Sequence, residues 1–453
     1  MTVTNETVTE NIEDIEDNIS NEVIEDNKLA ELKARMAEKK KQKVQMPTRI
    51  VEKPKRSIRL GVVGSGHAGS RISESFYKLG YPAVAFNTAM QDLEHIDLPE
   101  ANKYLLEYGI GGAAKDLDIG HAAADQHREG IANILQDTLG DSEMLVLCFS
   151  LGGGSGAGSH NVMIDILSAT GLPIIVITVL PMSTEDVQTK SNALHTLSKL
   201  GELAQNRVIN NLIVIDNTKL EAIYSDVSHM NFFKVGNEAI VKPIDAFNQY
   251  SAMSSTGDKG IDNMELAKLL SDGEGLCIYG ETHVTDYDSD PLAIAQAVVE
   301  NHDNGLLASG FNLEQTKYVG IVIAANSKVW DTIPRGSVEA AREMIKENCP
   351  GVEDSFHGTY VDDTIKEDVV KIYSMFVGLG LPDERVTQLR KDVAVEQAKT
   401  QERAKSRNVN LTLDTGKEKT VSKAEEIRQK IRKNQSKFSQ NFGQGKKIDF
   451  RKK

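Results

Sequence analysis

Residues Leu145–Ser159 read LVLCFSLGGGSGAGS, an apolar run passing directly into Gly152-Gly153-Gly154-Ser155-Gly156-Ala157-Gly158. So many glycines let the backbone turn with positive φ and lie against a ligand with no Cβ in the way. Their N–H groups, together with the N-terminus of the helix that follows, form a nest for an anion, and the Ser155 hydroxyl adds a hydrogen bond. A flexible linker does not sit between a buried strand and a helix, so this stretch is read as a phosphate cradle.

A second glycine loop lies upstream. In GVVGSGHAGS (Gly61–Ser70) the core Gly64-Ser65-Gly66-His67-Ala68-Gly69 fits the dinucleotide pattern G-x-G-x-x-G. A dinucleotide site needs only this loop, together with an Asp or Glu at the end of the next strand to hold the ribose. That strand, Ala83-Val84-Ala85-Phe86, ends instead in Asn87-Thr88, and neither glycine loop runs into the Gly-Lys-Ser/Thr of a Walker loop. Two cradles facing one crevice suit a nucleoside triphosphate better than a dinucleotide; an NAD-dependent oxidoreductase remains the outside alternative.

Outward from the two loops, apolar strands alternate with helical segments. Strands are expected at 58–63, 82–86, 144–149, 173–179 and 211–215, and helices at 69–79, 121–139, 157–169 and 187–205. Strands without polar alternation, separated by helices, mean a parallel sheet covered on both faces. A long helix near 231–252 follows. A second unit then has helices at 262–272, 291–302 and 335–347 and strands at 275–280, 317–324 and 367–377. The expected organisation is an N-terminal charged, disordered extension (1–56), a first domain (57–230), a central helix (231–256), a second domain (257–382) and a basic tail (383–453). Lys28–Lys43 has the pattern of a marginal helix, and Ser422–Glu425 is a capping box opening a short basic helix to Lys433.

The 453 residues carry a net charge of −14, unevenly spread. Residues 1–27 hold −9, 28–56 hold +8 and 385–453 hold +12, so the body 57–384 carries −25. Such asymmetry points to an anionic partner for the tail. No apolar run is long enough to span a membrane and no signal peptide opens the chain, so a cytoplasmic location is expected. Cys148, Cys277 and Cys349 are far apart and read as buried small hydrophobes, not a disulfide or zinc framework. His67, His121, His160 and His195 flank the glycine loops and read as helix-face or packing residues, and no protein-held metal is expected.

The motif GGGSGAGS resembles the GGGTGTG signature of the tubulin/FtsZ superfamily, and the neighbouring segments fall in the same order over about residues 58–380. The resemblance implies an α/β fold: a parallel-sheet GTPase domain, a long central helix and a smaller α+β C-terminal domain. It also implies roles. Gly66, His67 and Ser70 would wrap the phosphates, with Ser70 where relatives often have Asn, and Gly152, Gly153, Gly154, Ser155 and Gly156 would face them. Asn87 matches the Asn of the next loop, and Gly112, Ala113 and Ala114 resemble the loop that senses the γ-phosphate. Glu185, in Pro181–Glu185, would accept from the ribose hydroxyls. Asn217 matches the Asn that contacts guanine, and Phe233 and Asn237 share one helix face, so one can stack on the base while the other reads its edge.

Members of that superfamily carry an acidic loop that caps the nucleotide of the next subunit in a filament. Gly260–Leu266 resembles it, and Asp262 and Glu265 would position and polarise the attacking water, with Mg²⁺ on the phosphates. The family's Asn before this Asp is Gly260 here, and the same two carboxylates also fit an ordinary helix start. The segment Val179–Asp186 resembles the plasmid and phage TubZ branch more than cell-division FtsZ. The expectation is a GTP/GDP-cycling, head-to-tail polymer that segregates or positions plasmid or phage DNA in a bacterial or infected-host cytoplasm. Its basic tail would meet an adaptor–DNA complex or an acidic filament surface. The alternatives are a non-hydrolysing GTP-binding scaffold and an FtsZ-type division protein.

Overall fold

The structure is a computed structural model that describes residues 54–256, 259–304 and 311–406. The acidic extension, the helix expected at 28–43 and the capping box at Ser422–Glu425 lie outside the described residues. By contacts the chain divides into two units, Met1–Val393 and Ala394–Lys453.

The first unit opens with β1 (Leu60–Ser65), whose six residues are all buried, and passes into α1 (Gly66–Leu79). Gly80, at φ 99°, ends α1 in a left-handed cap. Then come β2 (Ala83–Asn87), α2 (Met90–Glu94) and β3 (Lys103–Leu105). The helix expected over 121–139 is two helices, α3 (Leu117–Gln126) and α4 (Arg128–Leu139), broken at His127 (φ −104°, ψ 15°). The break is held from outside the helices, because the His127 ring bonds to the Glu107 carbonyl at 3.0 Å and lies 3.2 Å from the Tyr104 hydroxyl. β4 (Met144–Ser150), α5 (Gly154–Ser168), β5 (Ile174–Leu180), α6 (Val187–Gln205), β6 (Asn211–Asp216) and α7 (Asn217–Ile223) complete the alternation. Of these strands β1, β2, β5 and β6 are wholly buried, the signature of a sheet with helices on both faces.

A central helix, α8 (His229–Tyr250), spans about 33 Å at 1.5 Å per residue. Beyond it lie α9 (Asn263–Ser271), β7 (Gly275–Val284), α10 (Ala293–Asn304), β8 (Tyr318–Ala325), α11 (Ser327–Trp330), α12 (Arg335–Asn348), β9 (Asp354–Val361) and β10 (Val370–Leu379). β9 was not expected from the sequence. It pairs in parallel along β8 at the sheet edge, burying Phe356, Gly358 and Tyr360 on alternate positions. A further unexpected helix, α13 (Asp383–Ser406), starts where the basic tail was placed. Its first turn carries Asp383 and Glu384, which suit a helix N-terminus, and Val386, Leu389 and Val393 bury one stripe.

The ten strands among the described residues form one sheet in the order β3-β2-β1-β4-β5-β6-β7-β10-β8-β9. It is parallel from β3 to β7, and β10 runs antiparallel to both its neighbours. The β6–β7 ladder that joins its halves is only two pairs long, Asn211↔Gly275 and Leu212↔Leu276. Chain order reverses at β1, which lies between β2 and β4, so the crevice for a ligand opens at the carboxyl ends of β1 and β4.

α8 runs from the side of that crevice toward the amino ends of the strands. There Asn248, fully buried, donates to the Ile58 carbonyl (2.8 Å) and the Tyr81 hydroxyl (3.1 Å) and accepts from the Ile58 N–H (2.8 Å). Truncation would leave three buried polar groups without this partner. Asn248→Ala is expected to destabilise the fold by about 2–4 kcal/mol, seen as a lower denaturant midpoint.

Candidate functional site

The five loops at the carboxyl ends of β1, β2, β4, β5 and β6 carry most of the residues expected to hold nucleotide. The loops after β1 and β4 approach each other through main chain. Gly66 sits at φ +71°, and a Cβ there would lie 2.8 Å from the Gly156 nitrogen. The loops are then pinned by hydroxyls: Ser65 Oγ to Ser159 Oγ at 2.7 Å and Thr88 Oγ1 to Ser155 Oγ at 2.6 Å. Gly153 is the N-cap of α5, so the N–H groups of Gly154, Ser155 and Gly156 occupy the first helical turn, where no intrahelical acceptor exists. None of the glycines from 152 to 158 adopts the positive φ expected there; the stretch is instead the open first turn of a helix, whose free N–H groups can take an anion. Ser70, in the second turn of α1, is fully buried, its hydroxyl without a hydrogen-bond partner among the described residues.

The loop after β3, Glu107–Lys115, is built largely from left-handed residues: Gly109, Gly111, Gly112, Ala114 (φ 45°) and Lys115 (φ 66°). A non-glycine residue held there costs of order 1 kcal/mol or more, so something must hold it. Gly112 N–H binds the Thr88 carbonyl at 2.8 Å, the Asn192 amide donates to the carbonyls of Lys115 (2.7 Å) and Gly152 (3.2 Å), and Ala113 is buried against Gly154. Lys115 also pairs with Asp186, the N-cap of α6, and that pairing, with the Thr189 N–H, holds the Asp186 carboxyl down at about 2. Asn192, Thr88 and Asp186 were not singled out from sequence, since nothing local marks a mid-helix amide as a brace between two loops.

Other expected residues are committed within their own loops. Asn87 is buried, donating to Asp92 at 2.9 Å and accepting from the Ala89 N–H at 3.2 Å. Exposed His67 lies 3.2 Å from the second Asp92 oxygen. Glu185 accepts from the Met182 N–H at 3.0 Å, which rounds off the loop after β5, and the buried Lys190 ammonium holds that loop through the Ser183 carbonyl at 2.6 Å. Asn217, Phe233, Asn237 and His67 do come together: with Arg71 and Lys234 they line a cavity of about 650 Å³ between α1 and α8. Phe233 is half exposed there, with Phe232 edge-on to it. Among the described residues, no three His, Cys, Asp or Glu side chains converge as a metal site, and no helix is long and apolar enough to cross a membrane.

Asp262 and Glu265 belong to a different part of the molecule. Asp262 is the N-cap of α9 in a complete capping box: its Oδ1 accepts from the N–H groups of Met264 and Glu265, both at 2.8 Å, and Glu265 Oε2 accepts from the Asp262 N–H at 3.0 Å. The far end of α9 is tied to the start of β6, where Asn211 donates to the carbonyls of Leu269 and Leu270 at 2.8 Å. The start of α9 is tied to the far end of α8: the Ile261 N–H donates to the Tyr360 hydroxyl at 2.9 Å, and the Tyr360 ring lies 5.1 Å from that of Tyr250, the last residue of α8. These carboxylates therefore sit near the end of α8 that is bonded to the foot of β1, while the glycine loops lie at the carboxyl ends of the strands. His160, further along α5, is a packing residue: it stacks on Phe149 with centroids 5.8 Å apart, and burial pushes its imidazole down to about 4.

Residues 59–225 match the model of the tubulin/FtsZ family GTPase domain, and residues 250–390 that of the TubZ-like C-terminal domain of tubulin/FtsZ-like proteins. The tubulin-like protein CetZ of Pyrococcus horikoshii is 24% identical over 332 residues, covering 71% of this chain and 86% of its own length. The tubulin-like protein TubZ of Bacillus thuringiensis subsp. israelensis is 23% identical over 391 residues, covering 77% and 80%. The crystal structure of a GTPγS-form protofilament of TubZ from Bacillus thuringiensis serovar israelensis superposes with a TM-score of 0.69 at 19% identity, over 79% of this chain and 96% of the other.

Two substitutions test the main-chain packing. A Cβ at Gly120 of α3 would stand 2.0 Å from the Gly154 carbonyl oxygen, whereas at Gly201 of α6 it meets nothing within 4 Å. Gly120→Ala is expected to cost more than about 3 kcal/mol and to weaken nucleotide binding, while Gly201→Ala is neutral or stabilises by up to about 1 kcal/mol in thermal unfolding. A pH series tests His160. Its imidazole ionises near 6.5 when unfolded but only near 4 when folded, so the unfolded state binds the extra proton between those values. Stability is expected to fall as pH drops from 6.5 toward 4, by at most about 3 kcal/mol from this group, and His160→Phe should flatten the slope between pH 6.5 and 5 in denaturant titrations.

Proposed function

The chain belongs to the tubulin/FtsZ family of GTP-hydrolysing, filament-forming proteins, and from that premise we propose how its own residues divide the work. The observation that supports the reading is the separation of the two functional ends. Glycine loops and base cavity lie at the carboxyl ends of the strands, and the Asp262–Glu265 pair lies toward the amino ends, across the length of α8. One subunit then cannot bring its own acidic pair to its own nucleotide. A head-to-tail neighbour can.

In this reading the N–H groups of Gly66, His67 and Gly152–Gly156 hold the phosphates, Ser70 underlies them, and the loop carrying Asn87 closes one side. The strained Gly112–Ala114 segment registers the γ-phosphate. Glu185 takes the ribose hydroxyls by releasing the Met182 N–H, Asn217 and Asn237 read the guanine edge, and Phe233 stacks on its face. Mg²⁺ would be held by the phosphate oxygens, where it would neutralise charge that develops on the leaving phosphate. One oxygen of each of Asp262 and Glu265 is committed to the cap of α9, and the other is left to orient the attacking water against the neighbour's γ-phosphate.

The filament is proposed to act in plasmid or phage DNA segregation, in the cytoplasm of a bacterium or an infected host. The TubZ-like C-terminal domain and the +12 charge of residues 385–453 favour contact of the tail with an adaptor–DNA complex, or with the −25 surface of the filament itself.

Sedimentation with GTP, a slowly hydrolysed analogue or NAD tests the whole. GTP should drive pelleting, with turnover rising cooperatively with protein concentration; tight NAD binding without assembly would overturn the reading. Glu265→Ala is expected to lower turnover at least about 100-fold while leaving GTP binding and pelleting intact. Unchanged turnover would remove Glu265 from the chemistry and leave it only a capping role.

A further inference from the structure

The C-terminal helix reaches back to the nucleotide loops through one side chain. Arg385, in the first turn of α13, donates from Nε to Asp216 Oδ2 at 2.7 Å and from Nη2 to Asp216 Oδ1 at 3.3 Å. The same Nη2 approaches Thr218 Oγ1 and the Pro181 carbonyl, each at 3.1 Å. The Arg385 and Asp216 side chains are 9% and 5% exposed, so this is a buried pair. Its acceptors come from two separate loops. Pro181 opens the segment that ends in Glu185, while Asp216 and Thr218 flank Asn217 at the end of β6.

We propose that Arg385 is a positioning residue for the nucleotide, holding the base-reading and ribose loops in one fixed relation before ligand arrives. The inference rests on the reading above that Asn217 contacts the base. Asp216 does two things at once: Oδ1 caps α7 through the Thr218 N–H at 3.0 Å, and both its oxygens take the guanidinium. The direction of the first turn of α7, and with it the Asn217 amide, follows the orientation of that carboxylate. A guanidinium suits the task because its planar fork meets a carboxylate, a hydroxyl and a carbonyl simultaneously, which a lysine ammonium on a flexible stem does not. The Ser183 N–H, bound to Thr218 Oγ1 at 3.1 Å, ties the two loops a second time, so the clamp and this bond close a ring around the ribose end of the site. A site set in this way spends little of its binding energy on ordering loops. By linkage, nucleotide binding and the docking of α13 strengthen each other to the same extent.

The test is a mutant cycle on GDP affinity, read by fluorescent-nucleotide displacement, with thermal unfolding of the nucleotide-free proteins alongside. Asp216→Asn with Arg385→Gln removes the clamp without stranding a buried charge and keeps a residue able to cap α7. This pair is expected to weaken GDP binding about tenfold in the chain that has Asn217, and less than about threefold in the Asn217→Ala background, because the clamp works through that amide. An equal loss in both backgrounds, or a lower unfolding temperature with unchanged affinity, would make Arg385 a purely structural residue and overturn the proposal. If Asn217→Ala alone leaves GDP affinity unchanged, the base-reading role fails, and that outcome is separable from failure of the clamp.

Discussion

The structure depends on main chain packing directly on main chain at the point where the sheet changes direction. Gly66 meets Gly156, Gly69 meets the Cys148 carbonyl, and Gly120 meets the Gly154 carbonyl, each at a distance that leaves no room for a methyl group. These contacts bring two strand-to-helix turns and a third helix into one cluster, so backbone N–H groups rather than side chains form the wall of the site. Peptide dipoles fixed in this way need no reorganisation when an anion arrives. The hydroxyl pairs Ser65–Ser159 and Thr88–Ser155 and the amide of Asn192 then fix the spacing between loops that glycine alone would leave free.

The fold alone does not choose the ligand. The order β3-β2-β1-β4-β5-β6 is also that of dinucleotide-binding domains, and it places a crevice in the same position. The choice lies in details: β2 ends in an amide that is bound to Asp92, a second glycine-rich strand-to-helix turn packs against the first, and the cavity lined by Asn217, Phe233 and Asn237 is walled by the central helix. A ribose carboxylate after β2, which a dinucleotide would use, is missing from the sequence at Asn87.

Much of this was legible in the sequence because it is periodic or local. Strands buried on both faces print themselves as unbroken apolar runs, as in Ile174–Leu180, and α6 was expected over the same residues, 187–205, that it occupies. The Asp262–Glu265 capping box was visible as two carboxylates three apart. What escaped was set by tertiary contact. The break at His127 depends on Tyr104 and Glu107, and β9 shows a weak pattern because glycine and histidine share its inward and outward positions. α13 was hidden because only one residue in three or four of a strongly charged stretch faces inward. Of the candidate site, the glycine loops and the residues Asn217, Phe233 and Asn237 that line one cavity were marked in the sequence, whereas Arg385 lies 169 positions from the carboxylate it binds and no local signal could join them.

The two-pair ladder between β6 and β7 has a mechanical meaning. A subunit in a filament must transmit axial load from one end to the other, and two backbone rungs make a compliant seam. α8 lies across that seam as a strut, with Phe233 and Asn237 lining the cavity against α1 near one end and Asn248 bonded to the foot of β1 near the other. Axial stress in the polymer is thereby routed past the same helix that walls that cavity, so stiffness and the filling of the cavity share a single element.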